Sequence, residues 1–133
     1  MIRSTALVLA TALASAPAPH AGAVDTPRQL VTACESLVAG AEGTGTTIEI
    51  PNTREALLCW GYMQAMQDLS VLVVEGGGRL IAACPPEDTT LLQIIRSFLR
   101  YARAHPDALR GNASVVVIAA LQDAFPCRNG RDE

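Results

Sequence analysis

The sequence predicts a small all-α protein, a bundle of about four main helices stapled by two disulfides. Three observations carry this expectation. Helix-start signatures recur at Thr26, Asn52 and Thr90, apolar residues then step by three and four, and the four cysteines form an even, widely spaced set.

The first 23 residues stand apart from the bundle. Ile2-Arg3 makes a short positive start, and Ala6 to Ala14 is an apolar stretch too short to span a bilayer. Small residues follow and end in Ala21-Gly22-Ala23, an A-x-A cleavage pattern. Residues 1–23 therefore read as a secretory signal cut before Val24. That leaves one domain of 24–133, expected to be exported and not to insert in a membrane. Losing Arg3 leaves nine arginines against thirteen acids, and the chain contains no lysine. A mildly acidic chain without basic clusters is a poor match for nucleic acid or anionic lipid.

The helices follow in order. Thr26-Pro27-Arg28-Gln29 supplies an N-cap, a proline at the first helical position and a glutamine to close a capping box. Leu30, Cys34 and Leu37, with Val31 and Val38, then form an apolar stripe to about Ala39. Asn52-Thr53-Arg54-Glu55 reads as a second box, opening a helix whose stripe is Leu58, Tyr62, Ala65, Leu69 and Leu72. Thr90 with Gln93 is the third box, before Ile94, Ile95, Phe98 and Leu99. His105-Pro106-Asp107 starts the last helix, which continues through Ala113, Val116, Val117, Ala120, Leu121 and Ala124 until Pro126 stops it.

Two loops rich in breakers separate these helices. Residues 40–52, "GAEGTGTTIEIPN", contain an alternation at Thr46 to Ile50 that suits a brief extended segment. Residues 75–86, "EGGGRLIAACPP", form the second. A hairpin of Val71–Val74 with Arg79–Ala83 around Gly76, Gly77 and Gly78 is the lesser reading, because the helical register before it runs through Leu72.

Cys34, Cys59, Cys84 and Cys127 lie 25, 25 and 43 residues apart, which lacks the close pairs of a zinc site. An even set in an exported chain reads as two disulfides. The first two helices run antiparallel across the 40–52 loop, with Cys34 about as far from its end as Cys59 from its start. Cys84 precedes the third helix and Cys127 follows the fourth, so they meet at the open end of that hairpin. The expected bonds are Cys34–Cys59 and Cys84–Cys127. Each closed loop removes roughly 3–4 kcal/mol of unfolded-state entropy.

Chemistry is hard to seat on what remains. His105 is the only histidine after the signal, there is no lysine, and paired cysteines supply no thiolate. No catalytic residue, metal or cofactor is expected. Asp68 and Glu75 read as a solvated face, and Gly61 as a site of close helix packing. Tyr62, on the expected stripe, reads as core. Trp60, off it, is divided between packing and an interface.

"CWGYMQAMQD" (59–68), "CPP" (84–86), Gln93, "FLRYARAHP" (98–106) and "ALQDAFPC" (120–127) also carry a resemblance. In order and approximate spacing they resemble the amidase immunity proteins of type VI secretion, the Tai family and its close relatives. The likeness spans nearly all of 34–127, with Phe-Pro-Cys its most specific piece; Ala65 departs from it, since many relatives carry glycine there. It implies a periplasmic helical protein, commonly a homodimer, that binds a peptidoglycan-cleaving amidase toxin and blocks its active site. Loops 40–52 and 75–83 are the expected contact surfaces, with Arg79 and Trp60 the expected hot-spot residues and Gly76, Gly77 and Gly78 expected contacts within the second loop. The alternatives are a periplasmic helical chaperone and a structural envelope module.

Overall fold

A computed structural model describes residue 24 and residues 26–43 and 47–127. The expected signal, 1–23, lies outside these residues. Four α-helices make up the fold: α1 (Pro27–Gly40), α2 (Arg54–Ser70), α3 (Leu91–Ala104) and α4 (Ala113–Ala124). A short 3-10 helix, Pro106–Arg110, lies between the last two. No strand occurs among the described residues; three isolated antiparallel bridges tie the loops.

Local chemistry explains the starts. Thr26 and Thr90 each accept a hydrogen bond from the backbone N–H three residues on, while Gln29 and Gln93 reach back to the capping residue's own N–H. Both boxes satisfy donors that the first helical turn leaves open. The second start differs from expectation. Thr53 does cap, accepting from the Ala56 N–H at 3.2 Å, but Glu55 falls within the first turn and closes no box. An acid there still favours the positive end of the helix.

The last helix also departs from the continuous reading. The chain makes one 3-10 stretch from Pro106 and breaks at Gly111, and α4 begins afresh at Ala113. Asn112 causes the restart. Its side-chain oxygen accepts from the Ser114 N–H at 2.9 Å and from the Ser114 hydroxyl at 2.6 Å, a local bond that competes with helix continuation.

The largest correction concerns the rotation of α2. Its buried residues are Ala56, Cys59, Met63, Met66 and Ser70, whereas Ala65 and Leu72 are exposed and Leu58, Tyr62 and Leu69 are half-buried. The true stripe is displaced by one residue, about 100° of helix rotation. Cys59 is the reason. Bonded to Cys34 inside the core, it must face α1, and residues three and four away from it turn inward with it.

Around that bond the helices pack in two pairs, α1 with α2 and α3 with α4, and the pairs close on one another. Leu30, Leu37, Met63, Ile94, Ile95, Phe98, Val117 and Leu121 are fully buried between them. Burying each such side chain contributes roughly 1.5–3 kcal/mol. The second bond, Cys84–Cys127, joins the approach to α3 with the exit of α4. There the Cys84 N–H donates to the Phe125 carbonyl at 2.8 Å, and Ala83 bridges Pro126. A chain end that would otherwise fray is thereby held.

Candidate functional site

Directly after α2 the chain does what the lesser reading anticipates. Helix α2 ends at Ser70, which is buried and whose hydroxyl donates to the Gln67 carbonyl at 2.6 Å. The chain then turns back on itself. The Leu80 N–H donates to the Leu72 carbonyl and the Val74 N–H to the Gly78 carbonyl, both at 2.8 Å, and Val73 bridges Arg79. The Gly77 N–H closes the tip on the Val74 carbonyl at 3.0 Å. Gly76 and Gly77 have φ of +103° and +91°, conformations that glycine adopts without steric cost.

This hairpin is apolar and open to solvent. Val71 is 59% exposed, Val73 61%, Leu72 49%, Leu80 48% and Val74 44%. Several exposed apolar side chains on one hairpin make it a candidate docking surface. The hairpin is also held in place. Arg79 donates from Nη1 to the Val71 carbonyl at 3.0 Å, across its base. Beyond Leu80, Ile81 returns to the core, and its carbonyl accepts from the Gln122 side chain of α4 at 2.9 Å.

The expected contact residues are therefore divided. Arg79 and Gly76–Gly78 share the hairpin, with the arginine partly committed to holding its base. Trp60 is half-buried and packs against the core, ten residues before the end of α2, or about 15 Å along the helix. Val71, Leu72, Val73 and Val74 lie outside the expected contact loops, and Leu80 lies within one without being singled out. Their signal in the sequence is an unbroken apolar run, Val71 to Val74, beside three glycines.

The 40–52 loop is simpler. Glu42 and Glu49 exchange backbone hydrogen bonds of 2.9 and 2.8 Å, with Ile48 and Ile50 half-buried and Thr47 and Glu49 outward. The brief extended segment expected here is present as a single bridge. Elsewhere on α2, burial raises the Tyr62 phenol above its ordinary pKa of 10.0, an effect opposed by a side-chain hydrogen bond with Ser114 of α4. Tyr62 is half-buried at this seam and not a central core residue.

The sequence pattern of the Rap1a immunity proteins matches residues 26–127, from the cap of α1 to the final cysteine. The chain belongs to that family. Rap1a proteins are immunity proteins of type VI secretion, so the partner is a toxin effector. No match was found among curated proteins or among solved structures. The matched span takes in all four helices, both disulfides and the hairpin.

Proposed function

We propose that this Rap1a-family protein acts in the periplasm by binding a peptidoglycan amidase toxin and covering its active site with the 71–80 hairpin. The observation that carries the reading is the exposed apolar hairpin, held at its base and mounted on a disulfide-stapled bundle. The amidase is the toxin class implied by the Tai-like Cys-x-Gly-Tyr, Cys-x-Pro and Phe-Pro-Cys motifs at Cys59, Cys84 and Phe125. The mode of action is binding and not catalysis. All four cysteines are engaged in disulfides, which suits an oxidising compartment.

Titrating the mature chain against any peptidoglycan amidase effector encoded beside its gene, while following peptidoglycan cleavage, tests the proposal. The wild-type chain should bind and inhibit. Val73→Asp should weaken binding by about thirtyfold or more, the scale of an interface hot spot at about 2 kcal/mol. Arg79→Ala should weaken it through the hairpin base, and Trp60→Ala should matter less. No binding to any amidase would remove this reading. Protection of unfolding clients by the same hairpin would put the chaperone in its place. A dimer that dissociates on Val73→Asp would instead assign the hairpin to self-association.

A further inference from the structure

One helix of this acidic protein carries charge of a single sign. The charged residues of α3 are Arg96, Arg100 and Arg103, with no acid among them, although the chain's net charge is −3. All three arginines lie on the solvent side of the helix, opposite Ile94, Ile95, Phe98 and Leu99. Arg103 is answered within the chain by Glu35 of α1 at 3.8 Å. Arg96 and Arg100 form no ion pair among the described residues. Arg100 donates to the Ser97 hydroxyl at 3.2 Å, which steadies its side chain.

These two arginines border a hollow of about 380 Å³ whose other walls include Pro86 and Phe125. One carboxylate, Asp88, also lines it. The apolar walls, the two guanidinium groups and the single acid suit a side-chain knob that presents a carboxylate. A phosphate group, with its greater negative charge, would meet Asp88 less favourably. The hollow adjoins the end of the bundle that holds the hairpin. Phe125 lines it and accepts from the Cys84 N–H, while Ala83 and Ile81 in the same run are tied to Pro126 and Gln122 of α4.

We infer that Arg96 and Arg100 form a second docking point for the toxin, receiving a carboxylate-bearing loop while the hairpin makes the apolar contact. The inference rests on the proposed immunity reading. It assigns the two contacts different work. An exposed charged rim steers encounter and sets the salt dependence of association, whereas an apolar anchor governs dissociation.

Association and dissociation rates for the mature chain and its amidase, measured over a range of sodium chloride concentrations, separate the two. Arg96→Glu/Arg100→Glu should slow association about tenfold at low salt and flatten its salt dependence, with dissociation little changed. Arg103→Glu, whose partner lies within the chain, should have a smaller effect. Val73→Asp should accelerate dissociation. Wild-type association kinetics and salt dependence in the double variant would overturn this inference alone, provided Val73→Asp still weakens the complex. Failure of the wild-type chain to bind would overturn the immunity reading and the inference with it. Arginine-dependent capture on phosphatidylglycerol vesicles, with toxin association unaffected, would assign the stripe to a lipid surface and overturn the inference as well.

Discussion

Gly61 sits inside α2 with nothing within 4 Å of the position its Cβ would occupy. The packing reason expected for a helical glycine is therefore absent within the described residues, and the helix bears the conformational cost of glycine without an internal return. Gly61→Ala should stabilise the isolated protein by about 1 kcal/mol, seen as a melting temperature several degrees higher. Tyr62, the next residue, gives a pH prediction. Its pKa is higher in the folded state than in the unfolded chain, so the folded form keeps its proton when the unfolded form has lost it. The stability this represents is complete below about pH 10 and is lost as pH rises through the folded-state value. Denaturant titrations across the alkaline range should show that loss in the wild type and a shallower one in Tyr62→Phe.

Among the elements, the two cross-links act at different depths. Cys34–Cys59 is buried in the core and sets the rotation of α2, so its loss removes the covalent constraint that turns Cys59 toward α1. Cys84–Cys127 closes a separation of 43 residues and holds the exit of α4. Replacing Cys84 and Cys127 together by alanine should cost about 4 kcal/mol of stability by loop entropy. Chemical denaturation checks this, and hydrogen exchange should show faster opening at residues 81–86 and 122–127 than in α1. The hairpin is a third element with its own logic. Its backbone bonds and the Arg79 contact fix its shape, but its exposed apolar side chains gain little from the fold that bears them. Helix α3 is the opposite case, with its apolar face fully used and its arginines turned outward.

For the whole molecule, compartment and fold depend on each other. Two disulfides in a short chain are compatible with an exported protein, and no helix among the described residues is long and apolar enough to cross a membrane. The expected signal at 1–23 gives the matching prediction. N-terminal sequencing of the exported protein should begin Val-Asp-Thr-Pro at Val24, and recovery of a cytosolic form that retains Met1 would count against it. A chain kept in a reducing cytosol should lose both staples and, with them, most of its margin of stability.

What the sequence determined by itself was the part governed by near neighbours. The threonine caps at Thr26 and Thr90, the stop before Pro126, and the pairing of Cys34 with Cys59 on neighbouring helices and of Cys84 with Cys127 at the open end of the second hairpin were all legible, because each depends on residues a few positions away or on one antiparallel register. The same cysteine pairing conflicts with the stripe through Leu58 and Tyr62, since Cys59 cannot face α1 while they do. Periodicity alone favours that stripe, and the covalent bond overrides it. The tertiary structure decided the rest: the rotation of α2, the break at Gly111 where Asn112 competes for the backbone, the outward face of Val71–Val74, and the lack of an ion pair at Arg96 and Arg100 among the described residues. A periodic pattern shows that a face is apolar. Only the partner packed against it, or the lack of one, determines whether that face is core or docking surface.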